Sequence, residues 1–360
     1  MNVMFKSYFL ILLLITFFIH GCKEDNLFYE KYEVIYDTST TKMFDGWEIS
    51  KYKLGFEINV RDMYFVNAET GFIVGYNGEI YKTTNAGKSW QKQYSKIGFH
   101  LFSVFFLDEN IGFASSASEI LKTMDGGCTW KNIFSSEYVR ILNLHFFDNL
   151  NGLSIIITDF SKPNAKNYFV AKTSNGGVNW EFIDLDNHYA TEKFYCFDNI
   201  IFVIGENQKI FKSKDQGNTW ETIHTPIPAW NSVRNMYFYN ENIGYIDGIS
   251  NIYKTVDGGL NWETVDFPFS FFNTFHFYNE SEGFGIVHLF EYVGSSHYPT
   301  YKGSVGYQTY DGGMNWNKSE LISSYYWELT HFVQRDLGYG INHLEFFTIK
   351  RFASQQTFTE

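Results

Sequence analysis

Proline, cysteine and basic residues are all scarce in this chain. It has 5 Pro among 360 residues, which suits a protein built from many β-strands. Of its 3 Cys, Cys128 and Cys196 lie in the second and fourth repeats, so we expect no disulfide between those two. The 28 Lys and Arg are outnumbered by 40 Asp and Glu, giving a net charge of −12. A phosphate backbone would be repelled and no basic stripe is present, so we expect no nucleic-acid partner.

Several signatures of chemistry are missing as well. The sequence has no nucleophile elbow, no phosphate-binding glycine loop and no cluster of His, Cys, Asp or Glu at metal-ligand spacing. We therefore expect no cofactor and no bound metal. Aromatic residues, in contrast, make up 20% of the chain, and their wide side chains suit the gaps between packed sheets.

The first residues resemble a bacterial secretion signal. An apolar run from Tyr8 to Ile19 is too short for a comfortable transmembrane helix. Ile19-His20-Gly21-Cys22 resembles the lipobox, whose cysteine is lipidated and becomes the mature N-terminus; an ordinary cleaved signal is the alternative, because His20 is unusual there. Lys23-Glu24-Asp25 resembles a signal for export to the cell surface, with a solvated acidic tether as the alternative. We expect a signal peptide over 1–21 and a tether over 22–44, on a protein anchored in the outer membrane.

One octapeptide recurs six times and organises the rest of the chain. Each copy has a Ser or Thr, an Asp or Asn two residues later, a Gly two residues after that, and a Trp three residues further on. We call it the box; its copies span 83–90, 123–130, 173–180, 213–220, 255–262 and 309–316. The box tryptophans are 40, 50, 40, 42 and 54 residues apart. A period near 40 that holds about four short strands is typical of a β-propeller with one repeat per blade.

The composition of the box is that of a hairpin turn. An Asp or Asn oxygen accepts hydrogen bonds from nearby backbone N–H groups, and glycine adopts positive φ without a steric penalty. Asn replaces Asp in two copies, which keeps an acceptor but would abolish acid–base chemistry. We therefore assign structural roles to Asn85, Trp90, Asp125, Trp130, Asn175, Trp180, Asp215, Trp220, Asp257, Trp262, Asp311 and Trp316.

The repeats predict seven blades and a way to close the ring. First strands can be aligned near residues 61, 102, 142, 192, 234, 273 and 328. The seventh repeat stops after its third strand, which would leave an open sheet edge. Residues 45–52 match the strand that follows each box. We predict an all-β, seven-bladed propeller of four-stranded antiparallel blades over 45–352, closed by strand 45–52 in the last blade, with a tail over 353–360 and no second domain. We expect a monomer.

The repeats also resemble known families. The box is similar to the Asp-box, or bacterial neuraminidase repeat. The longer pattern, Gly-Phe or Gly-Tyr and then Ile-Tyr-Lys-Thr before the box as in 252–262, resembles the photosystem II assembly and stability factor family of seven-bladed propellers. That resemblance implies an assembly scaffold that binds a protein and does no catalysis.

Candidate binding residues cluster on one predicted face. We call this the top face: first strands begin there, and the box turns lie on the opposite, box face. The two longest spacings between box tryptophans place insertions on the top face, at 158–168 and 288–307. These insertions are either binding loops or surface loops without a binding role. The candidate contacts are Arg61, Arg234, Glu192, Glu328, His288, Tyr292, His297, Tyr298 and Lys302.

Alternate residues of the first strands are expected to border the central channel. They include His145, His276 and His331, which could hold a metal only by converging across the channel; hydrogen-bonded packing is the preferred interpretation. A sialidase would need three clamping arginines and an N-terminal Arg-Ile-Pro element, and the latter is missing.

We therefore expect a non-catalytic envelope lipoprotein that binds an envelope protein. The alternative is a glycan-binding or sialidase-like propeller with a surface glycan as ligand, and a third possibility is a lyase or hydrolase site inside the channel.

Overall fold

A computed structural model describes most of the chain as strands. The described residues are 31–33, 35–36, 42–44, 47–158, 168–185, 194–205, 209–228, 233, 235–248, 251–265, 267, 274–291, 300–323, 329–342 and 345–351. Within these ranges there is no α-helix, only one 3-10 turn at Tyr76–Gly78. No helix formed by the described residues is long and apolar enough to cross a membrane.

The strands form seven antiparallel sheets, the seven blades, numbered here along the chain. Four strands precede blade one: β1 (Lys31–Glu33), β2 (Ile35–Tyr36), β3 (Lys42–Phe44) and β4 (Trp47–Lys53). Blade one contains β5 (Val60–Phe65), β6 (Gly71–Gly75), β7 (Glu79–Thr83) and β8 (Ser89–Tyr94). Blade two contains β9 (Leu101–Phe106), β10 (Gly112–Ser116), β11 (Glu119–Thr123) and β12 (Lys131–Ser135). Blade three contains β13 (Val139–Phe146), β14 (Gly152–Thr158), β15 (Tyr168–Thr173) and β16 (Glu181–Ile183).

The remaining blades repeat this order. Blade four contains β17 (Phe194–Phe197), β18 (Ile200–Ile204), β19 (Lys209–Ser213) and β20 (Glu221–His224). Blade five contains β21 (Asn235–Phe238), β22 (Gly244–Asp247), β23 (Ile252–Thr255) and β24 (Glu263–Val265). Blade six contains β25 (Thr274–Phe277), β26 (Gly283–Glu291), β27 (Thr300–Thr309) and β28 (Asn317–Ser323). Blade seven contributes β29 (Leu329–Gln334), β30 (Leu337–Ile341) and β31 (Glu345–Arg351).

The ring is closed by the N-terminal strand. β4 pairs antiparallel with β31, so that Trp47 lies opposite Arg351 and Lys53 opposite Glu345. The closing strand predicted over 45–52 is confirmed, with observed bounds of 47–53. Because β4 supplies the fourth strand of blade seven, no blade is left with three strands.

Short strands reinforce this seam from outside. β1 pairs with the outer edge of blade one, with Tyr32 opposite Trp90. β2 pairs with the outer edge of β4, with Ile35 opposite Lys53, and β3 forms a hairpin with β4. The chain from 31 to 36 therefore crosses from blade one to blade seven, at the junction where the two ends of the propeller meet.

Hydrophobic contacts hold the blades together around the ring. Seven buried clusters occur among the described residues, and each joins two neighbouring blades. Phe72 of blade one stacks on Phe106 of blade two at 3.8 Å between ring centroids, and Phe65 of blade one stacks on Tyr339 of blade seven at 3.7 Å. The core thus lies between the blades, and its aromatic stacks account for the high aromatic content.

A Phe and a Gly face each other at the same place in six blades. Phe65 of β5 pairs with Gly71 of β6, and a Cβ on that glycine would lie 2.6 Å from the Phe65 ring. The other pairs are Phe106 with Gly112, Phe146 with Gly152, Phe238 with Gly244, Phe277 with Gly283, and Phe332 with Gly338. Glycine is required at each position because the opposing ring fills the space of a side chain.

Blade four reverses this arrangement. Its corresponding pair is Cys196 opposite Ile201, so the small residue lies on the first strand and the large one on the second. Ile201 is fully buried. Cys196 carries a free thiol whose pKa is raised by burial. The structure therefore explains why cysteine occupies a phenylalanine position: Ile201 takes up the space of the missing ring.

Candidate functional site

The six boxes form one repeated turn. In blade five the Thr255 hydroxyl donates to Asp257 at 2.9 Å and accepts from the Gly259 N–H at 2.9 Å. The Asp257 carboxylate also accepts from the backbone N–H of Asn261 at 2.9 Å and from its side-chain amide at 2.7 Å. Equivalent bonds, donated by the backbone N–H two residues after the second Gly position, recur at Asn85, Asp125, Asn175, Asp215 and Asp311.

These bonds occupy the box acids within their own turn. The backbone N–H and then the hydroxyl of Thr219 lower the pKa of Asp215 to about 2, and the backbone and side-chain N–H groups of Asn261 do the same for Asp257. Both acids are therefore charged acceptors at neutral pH. This geometry suits turn formation, not proton transfer.

A lysine from the third strand of one blade reaches the box of the next. Lys82 of blade one donates to the Gly126 carbonyl of blade two at 2.6 Å, and Lys212 of blade four donates to the Gly258 carbonyl of blade five at 3.2 Å. Burial lowers the pKa of Lys82 and Lys212. The Lys that directly precedes the Thr or Ser of the box thus ties adjacent blades together, a role that the sequence did not reveal.

The turn hydrogen bonds define the two faces. The Gly126 N–H in the box of blade two donates to the Asn110 carbonyl, in the turn between β9 and β10, at 2.8 Å. The turns after the first and third strands therefore share the box face. Since strands alternate in direction, the loops after the second strands and the connections between blades lie on the top face, as the sequence predicted.

Aromatic side chains from the first strands line the central channel. Ring centroids lie 4.8 Å apart for His331 and Tyr64, 5.2 Å for Tyr64 and Phe105, 4.8 Å for Phe105 and His145, 5.8 Å for Tyr195 and Tyr237, and 5.9 Å for Tyr237 and His276. We call these residues the channel belt. Burial lowers the pKa of His145, His276 and His331 to about 4. Neutral histidines in ring contact are packing residues, and the described part of the chain holds no group of three potential metal ligands close enough to bind an ion.

Asp62 lies above this belt, near the start of β5. Burial raises the pKa of its carboxyl to about 6. One oxygen accepts from the Met63 N–H at 2.9 Å and the other from the Val104 N–H of blade two at 2.8 Å. A carboxylate held by backbone donors from two strands joins blades one and two, so we assign it to the scaffold.

A cationic and aromatic cluster lies on the top face beside the junction of blades one and two. The Arg61 guanidinium donates to the Tyr76 hydroxyl at 2.6 Å and lies 5.7 Å from the Phe102 ring centroid. The His100 ring stacks on Tyr76 at 4.1 Å, and its Nδ1 accepts from the Asn77 N–H at 3.2 Å. We call Arg61, Tyr76, His100 and Phe102 the top-face cluster.

This cluster has the features of a recognition site. Arg61 and His100 are exposed, whereas Tyr76 and Phe102 are half-buried. The stack on Tyr76 and the bond to its hydroxyl orient the two polar side chains before any ligand arrives. An oriented guanidinium beside aromatic faces suits a carboxylate that is flanked by apolar groups.

Of the other predicted contact residues, only Lys302 and His288 lie in the described part of the chain. Arg234, Glu192, Glu328, Tyr292, His297 and Tyr298 lie outside the described residues, as does Cys22. Lys302 is exposed on β27. His288, expected in a loop, instead lies within β26, where it is 4% exposed and its Nδ1 is 2.9 Å from the Ser304 hydroxyl.

The blade-six insertion therefore differs from the expected loop. Much of it extends the hairpin of β26 and β27, because its Val, Leu and Tyr residues continue the strand alternation. Of the predicted contacts, the structure brings Arg61 together with residues that sequence reasoning missed. Tyr76 and His100 do not recur at equivalent positions of the other repeats. The sequence feature that could have pointed to them is the Tyr-Asn-Gly turn after the second strand of blade one.

Fold and site together define a seven-bladed propeller with a preorganised polar and aromatic cluster on its top face. Residues 40–139, which include the closing strand and blades one and two, match the family model described as photosynthesis system II assembly factor YCF48. The predicted resemblance to the photosystem II assembly factor family is confirmed. No curated protein sequence matches the chain significantly.

Solved structures with the same fold include two of that family. A structure of YCF48 bound to D1 peptide is 17% identical, with a TM-score of 0.66, over 87% of this chain and 99% of that chain. YCF48 from Cyanidioschyzon merolae is 14% identical, with a TM-score of 0.62, over 86% and 99%. A GH74 xyloglucanase from Xanthomonas campestris is 9% identical, with a TM-score of 0.56, over 87% and 59%. At these identities the likeness establishes the fold.

Proposed function

We propose that this protein is a non-catalytic envelope lipoprotein that binds a peptide segment of an envelope protein through its top face, as an assembly factor does. The observation that carries the proposal is the top-face cluster, in which Arg61 and His100 are exposed and already oriented by Tyr76. Support comes from the related propeller YCF48, which was solved with a D1 peptide bound.

The chemistry of the cluster favours a particular kind of segment. A guanidinium binds carboxylates best, and aromatic faces accept apolar side chains. Tyr138, which is 75% exposed on the same face at the connection from blade two to blade three, extends the surface on which a peptide can lie. We therefore expect the partner segment to carry an acidic or C-terminal carboxylate beside apolar residues.

The box carboxylates and Asp62 support a role without catalysis. The box carboxylates are occupied within their turns, and Asp62 is held between blades one and two. Lipidation at Cys22, with an outer-membrane location, belongs to the same proposal and is supported by the lipobox-like sequence alone.

Capture from detergent-solubilised envelope tests the function. The full chain is compared with Arg61→Glu and with Lys88→Glu, which makes the same charge change at an exposed position in the box of blade one. We expect a membrane protein to be recovered with the parent chain and with Lys88→Glu, and at least tenfold less of it with Arg61→Glu. Equal recovery with all three would refute the role of the top-face cluster.

A glycan-binding propeller is the second candidate. It is favoured by the exposed aromatic rings of Phe99 and Tyr138, since sugars bind on open aromatic surfaces, and by the fold likeness to GH74 enzymes. Polysaccharide recovered with no protein from the same capture would place this candidate first.

A further inference from the structure

We propose that the outer edge of blade one, together with the connection that leaves it on the top face, docks on the anionic headgroup surface of the membrane that holds the protein. The surface consists of Lys92, Tyr94, Lys96 and Phe99, and we call it the blade-one rim. The inference rests on the lipid anchor of the proposed function and adds the orientation of the propeller to it.

The first observation is a break in the acidic character of the chain. From residue 80 to residue 107 there is no Asp or Glu, although the protein carries 40 such residues. The same stretch contains Lys82, Lys88, Lys92 and Lys96. Lys82 is used inside the fold, at the box of blade two. Lys88 lies in the box just before β8, Lys92 lies on β8, and Lys96 lies in the connection to blade two, so the positive charge follows one edge of blade one.

The second observation is that aromatic rings are exposed at the same edge. Tyr94 is 67% exposed and Phe99 is 59% exposed. Aromatic side chains next to lysines are typical of surfaces that rest at a membrane interface, where rings enter the headgroup layer and ammonium groups contact lipid phosphates.

The rim is held in place by the fold. The Ser95 hydroxyl donates to the Gly78 carbonyl at 2.7 Å, and the half-buried Ile97 packs into the cluster between blades one and two. These contacts fix the loop on its inner side. Lys96, whose φ is +63°, and Phe99 consequently face solvent.

Among the described residues, an acidic side chain contacts the rim. Glu79 of β7 lies 3.1 Å from the Lys92 ammonium and offsets one positive charge. Lys96 and Lys88 are exposed, and His100 follows Phe99 directly. Lys31 and Glu33 of β1, which pairs with β8, add one charge of each sign, so the edge keeps a positive excess in a chain whose net charge is −12.

The third observation is where the N-terminal chain reaches the propeller. β1 pairs with β8 itself, with Lys31 opposite Gln91. Eight residues separate Lys31 from Cys22, and the segment that joins them spans at most about 30 Å when extended. A lipid on Cys22 would hold blade one close to the bilayer, so charge, aromatic exposure and attachment coincide at one edge.

The experiment places a fluorescent label at the rim. The full chain is produced in a bacterial host that lipidates exported cysteines, and it is reconstituted into vesicles of phosphatidylethanolamine and phosphatidylglycerol. Gly98→Cys carries an environment-sensitive dye, because a Cβ there meets no atom within 4 Å. Thr222→Cys, exposed on β20 of blade four, carries the control dye. Quenching by lipid-attached nitroxide is measured for each.

We expect at least twofold stronger quenching at position 98 than at position 222. Lys96→Glu combined with Phe99→Ser should reduce it to the control level, whereas Lys214→Glu with Leu260→Ser on blades four and five should not. Omitting phosphatidylglycerol should also reduce it, since each lysine near an anionic surface changes partitioning by roughly fivefold.

Four results would overturn the proposal. Equal quenching at both positions, or quenching that the rim variant leaves unchanged, shows that the edge does not dock on lipid. The same holds if the dye at position 98 responds only in native membranes, which would indicate a protein partner. A chain that fails to float with vesicles refutes the anchor and the rim together, while capture that depends on Arg61 reports separately on partner binding.

Discussion

Restoring the usual residue pair in blade four tests the packing rule of the propeller. In six blades a first-strand Phe faces a second-strand Gly, and a Cβ on that Gly would lie 2.3 to 2.8 Å from the ring. Any residue larger than glycine is thus incompatible with the Phe. Cys196 with Ile201 solves the same problem in reverse.

The magnitudes follow from this geometry. Cys196→Phe places a ring against the fully buried Ile201, and overpacking of this kind costs about 1–3 kcal/mol. Ile201→Gly removes a buried side chain from a strand interior and costs about 3–5 kcal/mol. The double variant recreates the pair of the other blades, so we expect its stability to lie within about 1 kcal/mol of the parent. The coupling energy is then at least about 3 kcal/mol.

The assay is urea unfolding followed by circular dichroism for the parent, both single variants and the double variant. A matched pair, Thr222→Phe and Thr222→Gly on the exposed outer strand of the same blade, reports the effect of the residue types without burial. If the double variant loses as much free energy of unfolding as the two single variants lose together, Ile201 does not replace the phenylalanine ring of the other blades.

Three further changes test the closure, the boxes and the channel belt. Ile49 lies in the closing strand and is 1% exposed, so Ile49→Ala should lower the free energy of unfolding, measured in urea, by about 2–5 kcal/mol. The control Lys53→Ala, at an exposed position of the same strand, should change it by less than about 0.5 kcal/mol. Equal effects of the two substitutions would contradict closure by β4. Thr255→Val should lower the free energy of unfolding, measured by thermal unfolding, by about 1–3 kcal/mol, because Asp257 and Gly259 both lose the hydroxyl to which they are hydrogen-bonded. The control Thr84→Val, at an exposed position, should leave the stability unchanged. Belt histidines such as His145 have a pKa of about 4 in the folded protein, below the usual 6.5. Protonation therefore favours the unfolded chain, so the contribution of each neutral histidine to the free energy of unfolding is complete above pH 6.5 and is lost as pH falls towards 4. Each histidine contributes at most about 3 kcal/mol. After the contribution of titrating carboxyl groups is subtracted, a free energy of unfolding that stays constant between pH 6.5 and pH 4 would contradict the assignment of these histidines as neutral packing residues.

Much of the fold could be predicted because it repeats. The box supplies a turn with its own hydrogen bonds, so Thr255 to Trp262 specifies local structure without tertiary context. The missing box after residue 351 and the surplus strand at Trp47 then specified the closure. Repetition also made Cys196 visible as an exception, although its cause, the size of Ile201, needed the pairing register of the strands.

The top-face cluster could be predicted only in part. Arg61 was identified from its equivalence to Arg234 at a strand start. Tyr76 and His100 were not, because they come from a loop and an inter-blade connection that are brought together by the packing of blades one and two. His288 was misplaced since a long repeat step does not show whether the added residues form a loop or lengthen two strands.

In-cell photocrosslinking tests most directly the claim that the top face binds a protein. A photoreactive phenylalanine replaces Tyr138 on the top face or Met124 in the box of blade two. The two positions are 75% and 73% exposed, so their accessibility is matched. We predict a discrete crosslinked protein from position 138 that is lost when Arg61→Glu is added, and none from position 124. Crosslinking from position 124 alone, or from position 138 regardless of Arg61, would contradict it.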